Sequence, residues 1–93
     1  MGQIKGTILA EDIKNSDYFI SAYCAITRAL HRAGHPFRDA GILIIDDKNV
    51  PIVELHSNSQ YEELVKRVCS MYNQPWKDRA VEEPADFDFE INY

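Results

Sequence analysis

The sequence predicts a small α+β fold in which two amphipathic helices lie on one face of a short antiparallel sheet. Three features indicate it. The segments 15–33 and 57–75 carry apolar residues at helical spacing. The segments 40–45 and 50–55 are rich in β-branched residues and flank a polar turn. The last residues of the chain alternate polar and apolar side chains, as a strand with one buried face does.

The first third of the chain contains a strand and a long helix. Residues 3–9 alternate and form the predicted first strand, and residues 10–14 can make one helical turn. The N-cap residue types at 15–17 start the longer helix, and Gly34 ends it because glycine adopts the left-handed backbone conformation common at helix ends. The predicted buried side of this helix consists of Ile20, Tyr23, Cys24, Ile26, Thr27, Leu30 and Ala33.

A β-hairpin follows in the middle of the chain. The apolar segments 40–45 and 50–55 pair across the four-residue turn 46–49. Pro51 has no backbone N–H to donate, so the second of these strands is expected either to lie at a sheet edge or to begin after Pro51.

The last third contains a second helix and a final strand. Ser59 and Glu62 match a capping box at the start of the helix, and Pro75 ends it. Its apolar stripe consists of Tyr61, Leu64, Val65, Val68 and Tyr72. In the final strand, 86–91, one face carries carboxylates and the other carries Phe87, Phe89 and Ile91.

The resulting order is β-α-β-β-α-β, the split βαβ arrangement of ferredoxin-like folds. The alternative keeps the same elements and pairs the final strand elsewhere, including with a second copy of the chain. Residues 1–93 are long enough for one domain. The longest apolar stretches are too short to span a bilayer and the N-terminus has no signal-peptide core, so a cytoplasmic location is expected.

The charge of the chain is concentrated in its last segment. The net charge is −5, and residues 77–93 hold six acidic residues against two basic ones, which accounts for −4 of it. This balance disfavours direct binding to nucleic acid and favours a protein partner with a basic surface. The two cysteines, Cys24 and Cys69, are predicted to be small buried hydrophobic residues within the helices, since a disulfide between them needs an oxidising compartment.

A row of basic residues at helical spacing is the first candidate site. Arg28, His31, Arg32 and His35 share one helical face, and Arg38 extends it. Such a cluster can grip an anion or an acidic loop of a partner. The favoured interpretation is simpler, because basic residues near the end of a helix oppose its dipole.

Metal binding and catalysis are both disfavoured by the sequence. His31 and His35 are four residues apart and His56 could join them, but Gly34 swings His35 away and no metal-ligand motif is present. His56, Ser57 and Ser59 lie near Asp46 and Asp47 only along the chain, and capping and turn roles explain these serines and aspartates. We therefore expect no enzyme activity and no cofactor.

The acidic final strand is the favoured partner-binding surface. Carboxylates at alternate strand positions stand about 6–7 Å apart, close to the phosphate spacing of one nucleic-acid strand. The alternative is that these charges face water and protect a sheet edge from aggregation. The predicted binding residues are Glu82, Glu83, Asp86, Asp88 and Glu90, with Trp76 as an aromatic contact if it is exposed.

Three segments, 12–15, 24–30 and 87–91, resemble small uncharacterised proteins of phages and mobile elements. In those proteins a short strand and turn lead to a Cys-Pro-Ile-Ala-like helix start, and a Phe-rich strand closes the chain. Ala25 stands here in place of the proline. The resemblance implies an accessory or counter-defence protein, such as an anti-CRISPR-like inhibitor, that binds host machinery. The alternative function is a small metal- or ligand-binding regulator that uses the three histidines.

Overall fold

The computed structural model describes residues 2–15, 21–71 and 82–93. Strands and helices are mixed along these residues, so the α+β class predicted from the sequence is confirmed. In chain order the elements are β1 (Gln3–Ile8), α1 (Ala10–Lys14), α2 (Ser21–Arg32), β2 (Arg38–Asp39), β3 (Leu43–Ile45), β4 (Pro51–Glu54), a 3-10 turn (Leu55–Ser57), α3 (Ser59–Ser70) and β5 (Phe87–Asn92).

The first and last strands, β1 and β5, form a two-stranded antiparallel sheet that we call the terminal ribbon. Gly2 and Tyr93, just beyond the strands, exchange both backbone hydrogen bonds, of 2.6 and 2.9 Å. Along the ribbon Ile4 pairs with Ile91. Alternate residues face inwards, and this inner face is apolar on both strands. The final strand predicted from its alternation is therefore confirmed.

Gly6 allows an aromatic ring to lie across the inner face of the ribbon. Gly6 pairs with Phe89 on β5, and a Cβ atom at Gly6 would stand only 2.8 Å from the Phe89 ring. The carbonyl oxygen of Ala29 on α2 lies 3.7 Å from the same point. Only a glycine leaves room for the Phe89 ring to lie there.

Strands β2, β3 and β4 form a second antiparallel sheet in that order. The predicted hairpin between β3 and β4 is confirmed. Its turn is held by the Asp46 carboxylate, which accepts hydrogen bonds from the N–H groups of Lys48 and Val50 at 2.8 and 2.9 Å. Asn49 adopts the left-handed conformation with φ of 64°. Asp46 is thus a turn-forming residue.

The division into two sheets differs from the single sheet predicted. Within the described ranges, no ladder joins β1 to β4, and the ferredoxin-like order is not confirmed. Two local features explain why β1 and β4 do not pair. Arg32 donates a hydrogen bond of 3.0 Å to the carbonyl of Thr7 and so occupies the edge of β1 that another strand would need. Pro51, at the start of β4, has no N–H to offer.

The sequence correctly predicts where α2 ends but not which residue caps the start of α3. The glycine end of α2 is confirmed, with Gly34 at φ of 90°. Residues 16–20 and the side chains of 21–23 lie outside the described part, and so does the predicted start of this helix. The cap of α3 is Asn58, whose side-chain oxygen accepts the Tyr61 N–H at 3.1 Å. The capping box predicted with Ser59 as the cap was therefore wrong, because the cap lies one residue earlier.

The core lies between the helices and the two sheets. Ile26 and Leu30 of α2 are buried as predicted, Cys24 and Thr27 are half-buried, and Ala33 is exposed because the helix has already ended. Cys24 and Cys69 do not form a disulfide. None of the described helices is long and apolar enough to cross a bilayer. The core cluster consists of Ile4, Ile8, Ile13, Ala25, Ile26, Ala29, Leu30, Ile44, Val53, Tyr61, Leu64, Val68, Met71 and Ile91.

Candidate binding face on the terminal strands

The side of the terminal ribbon that faces away from the core is polar throughout. Alternation fixes this, because the residues between the inward-facing isoleucines and phenylalanines must point outwards. An open groove of about 550 Å³ lies along the middle of the ribbon. We call this side the outer face, and it consists of Gln3, Lys5 and Thr7 on β1 with Asp88, Glu90 and Asn92 on β5.

Cross-strand hydrogen bonds hold the carboxylates of the outer face in place. Asp88 pairs with Thr7, whose hydroxyl donates to the carboxylate at 2.7 Å. Glu90 accepts a hydrogen bond from the side-chain amide of Gln3. Both donors are uncharged, so these two hydrogen bonds orient the carboxylates without pairing them with a cation. Among the described residues, Lys5 forms an ion pair with Glu90, at 4.0 Å between Nζ and the carboxylate.

The other predicted acidic residues are placed differently from one another. Asp86 lies just before β5 and accepts the backbone N–H of Ala10 at 2.7 Å, so it continues the acidic row. Glu82 instead lies against the end of α3, where its carboxylate accepts the hydroxyl of Ser70 at 2.7 Å. Glu83 is exposed. The structure therefore brings together Asp86, Asp88 and Glu90, and Trp76 lies outside the described residues.

The predicted basic row is divided between two internal partners. Arg28 and Arg32 both donate to the carboxylate of Asp12, with a distance of 3.3 Å from Arg28 Nε. Arg38 donates to the side-chain oxygen of Asn49 at 2.8 Å, at the tip of the second sheet. The sequence correctly predicted that Arg28 and Arg32 share one helical face. The anion that they bind is the carboxylate of Asp12 in the same protein.

The three histidines do not converge. His31 and His56 are exposed, and His35 stacks on Phe37 with ring centroids 5.3 Å apart. Gly34 turns the chain before His35, as the sequence indicated. In the part of the chain that the structure describes, no three His, Cys, Asp or Glu side chains are grouped closely enough to hold a metal ion.

Sequence reasoning missed Asp12, whose side chain is fully buried. One carboxylate oxygen accepts the Leu9 N–H at 2.9 Å, and the other meets Arg28 and Arg32. Burial alone raises the pKa of Asp12, but the hydrogen bonds from Arg32, Leu9 and Arg28 outweigh it, and the pKa is lowered overall. The hydrogen bond to Asp12, with attraction from Glu11 and Asp86, raises the pKa of Arg32.

Asp39 is the second buried carboxylate that the sequence did not reveal. Its Oδ1 accepts the Tyr61 hydroxyl at 2.7 Å and the Gly41 N–H at 2.8 Å. Its Oδ2 is buried and has no hydrogen-bond partner in the described structure. Burial raises the pKa of Asp39 to about 6, although both hydrogen bonds lower it. The backbone N–H of Asp39 donates to the hydroxyl of Thr27 at 3.0 Å, which ties the second sheet to α2.

A weak local signal was present for Asp12. Asp12 is an acidic residue in the first turn of a helix, and two arginines four residues apart follow in the next helix. No local pattern pointed to Asp39. No protein-family model, curated protein or solved structure matches the chain.

Proposed function

We propose that this chain is a non-enzymatic binding protein that docks onto a basic surface of a protein partner through its outer face and Asp86. The observation that carries the proposal is the row of three exposed carboxylates formed by Asp88 and Glu90 of β5 and by Asp86 just before it. Among the described residues, Lys5 pairs with Glu90 at 4.0 Å, but its side chain is 68% exposed, so it screens the row only weakly.

The way these carboxylates are held supports a binding role. Thr7 and Gln3 orient Asp88 and Glu90, and Ala10 orients Asp86. Side chains that are already ordered lose less conformational entropy when a partner binds. Their charges remain available to lysines and arginines of that partner.

The spacing of the row suggests the kind of surface it occupies. Alternate residues of a strand are about 6–7 Å apart, which approaches the phosphate spacing of one nucleic-acid strand. We therefore propose an accessory or inhibitor protein that covers a basic, nucleic-acid-binding site, as a counter-defence protein of a phage would. The proposal keeps the ferredoxin-like relation of the elements, with β5 beside β1 and β3 beside β4.

A charge-matched pair of variants tests the proposal. D88N/E90Q removes two charges from the outer face but keeps oxygen acceptors for Thr7 and Gln3. D47N/E54Q removes the same two charges from exposed positions around the second sheet. Each immobilised protein is used to capture partners from host lysate at about 50 mM and about 500 mM salt.

We expect the unaltered chain and D47N/E54Q to retain a partner at low salt and release it at high salt. D88N/E90Q should bind that partner at least about tenfold more weakly, because charge pairs at an interface contribute on the order of 1.4 kcal/mol or more. Thermal unfolding confirms that both variants are folded. Equal binding by the two variants, or capture that is insensitive to salt, would contradict the proposal.

A further inference from the structure

Among the described residues, the backbone groups of Asp88 and Glu90 on the edge of β5 that faces away from β1 have no hydrogen-bond partner. Gly2 and Tyr93 exchange both backbone hydrogen bonds, and in an antiparallel ladder such pairs recur at every second residue. Phe89 and Ile91 therefore turn their backbone groups towards β1. Asp88 and Glu90 turn theirs towards the opposite edge, where no strand pairs with them among the described residues.

One end of this edge is already closed by side chains. The N–H of Asn92, which points the same way, donates to the side-chain oxygen of Gln60 at 2.7 Å. The carbonyl of Asn92 accepts the side-chain amide of Asn58 at 2.8 Å. The open stretch is thus short and well defined, and it consists of the four backbone groups of Asp88 and Glu90.

A groove of about 270 Å³ runs beside this stretch, between β5 and α3. Its floor includes the apolar side chains of Leu64, Phe87 and Phe89. The guanidinium of Arg67 lies over the Phe87 ring, 4.3 Å from its centroid, and so is turned towards β5. The edge therefore has an acidic outer side and an inner side with apolar surface.

We propose that an extended segment of a protein partner, in which basic residues alternate with apolar ones, adds to the free edge of β5 as a third strand of the terminal ribbon. This inference rests on the proposed function and specifies how the partner is recognised. Residues opposite Asp88 and Glu90 project onto the acidic outer face, where lysine or arginine fits. The residue between them projects towards Phe89 and Leu64, where an apolar side chain fits.

Repulsion between like charges also disfavours the binding of a second copy of this chain at the same edge. If two β5 strands paired antiparallel around residues 88–90, Asp88 of each copy would lie near Glu90 of the other, and like charges directly opposite each other are destabilising. Acidic residues on an edge strand commonly prevent such self-pairing. A basic segment meets the same charges with attraction.

Two modified peptides test whether backbone pairing takes place. The probe is a short peptide that alternates lysine and valine, titrated against the full chain. One version carries N-methyl groups on its lysines and the other on its valines. In a strand only one of these two sets of N–H groups can face β5, so one version should bind about tenfold more weakly or worse and the other should bind as the parent does.

Amide hydrogen exchange on the full chain provides a second measurement. We expect the N–H groups of Asp88 and Glu90 to exchange several-fold more slowly when the parent peptide is bound. The N–H of Lys5, which points to the far edge of β1, is the internal control and should not change. Sedimentation of the chain with and without peptide reports whether it stays monomeric.

The outcomes separate this inference from the proposed function. If both N-methylated peptides bind like the parent and exchange at Asp88 and Glu90 is unchanged, the edge is not used, even if D88N/E90Q still weakens a salt-sensitive complex. If the peptide does not bind at all, or if the chain dimerises through this edge, the inference is overturned as well. Loss of binding for one peptide only, with protection of both amides, supports it.

Discussion

Two buried aspartates, Asp12 and Asp39, have very different surroundings. Asp12 lies where α1 and α2 meet beside the terminal ribbon, and two guanidinium groups reach it. Asp39 lies in β2, where its carboxylate receives a hydroxyl and a backbone N–H and one oxygen has no partner. Cations compensate the first charge, whereas only neutral donors compensate the second.

The consequence is that the two carboxylates act on folding in opposite directions. The pKa of Asp12 is lowered by folding, so its ionised form stabilises the folded state at pH values above the unfolded pKa of 3.8. That contribution is lost as the pH falls from 3.8 through the lower pKa of the folded state. The pKa of Asp39 is raised to about 6, so its protonated form is favoured on folding. That contribution is present below 3.8 and is lost as the pH rises through about 6.

The comparison also shows which carboxylate supports the candidate binding face. Arg32 joins the Asp12 carboxylate to the carbonyl of Thr7, and the hydroxyl of Thr7 orients Asp88. A continuous set of hydrogen bonds therefore connects Asp12 with the outer face. Asp39 instead connects β2 with Tyr61 of α3 and Thr27 of α2.

The largest expected effect is that of D12N. At pH 7 this change removes the charge that both arginines meet, and we expect the free energy of unfolding to fall by about 3 kcal/mol. The value is at the lower end for a broken buried pair because the side chains of Arg28 and Arg32 are 46% and 38% exposed and can be hydrated. Urea unfolding measures it, with exposed D47N as a control expected to change by less than about 0.5 kcal/mol. A loss as small as that of D47N would show that the pairing contributes little.

The same substitution at Asp39 should raise the free energy of unfolding at pH 7, whereas at Asp12 it lowers it. Because its pKa rises from 3.8 to about 6, ionisation of this residue costs the unaltered chain about 3 kcal/mol of stability at pH 7, most of which is lost between pH 4 and pH 7. D39N removes that loss but buries an amide without an acceptor, which costs about 1–3 kcal/mol. We expect D39N to be about 1 kcal/mol more stable than the unaltered chain at pH 7 and less stable than the unaltered chain at pH 4.

Urea unfolding of both chains from pH 4 to pH 7 tests this crossing of the two stability curves. Other groups titrate in this range, but they are common to both proteins, so the difference between the curves isolates Asp39. Parallel curves would show that Asp39 titrates near its ordinary pKa in the folded state, and would contradict the prediction.

Much of the fold could be predicted because its signals are local. The alternation around Phe87 and Phe89 predicted β5, the polar turn at 46–49 predicted the hairpin, and Gly34 predicted the end of α2. Each of these depends on backbone preferences within a few residues. The same preferences placed the carboxylates of β5 on one face.

The two buried aspartates could not be predicted because their partners are distant in sequence. Arg32 is 20 residues from Asp12 and Tyr61 is 22 residues from Asp39. The division into two sheets depends on the same kind of contact, since Arg32 reaches the Thr7 carbonyl from another element. Helical spacing correctly put Arg28 and Arg32 on one face, but it could not show that their anion is internal.

The two arginines that share Asp12 should differ in their effects, and R28Q should have the smallest effect of these variants. Arg32 has two roles, at Asp12 and at the Thr7 carbonyl, whereas Arg28 approaches Asp12 only through Nε at 3.3 Å and is the more exposed side chain. We expect R28Q to lower the free energy of unfolding by about 0.5 kcal/mol, as for an exposed ion pair, and R32Q to lower it by about 2 kcal/mol. Urea unfolding at pH 7 measures both. Equal losses would mean that attraction to the buried charge matters more than hydrogen-bond geometry. A larger loss in R32Q would agree with its two hydrogen bonds, one to Asp12 and one to the Thr7 carbonyl of β1.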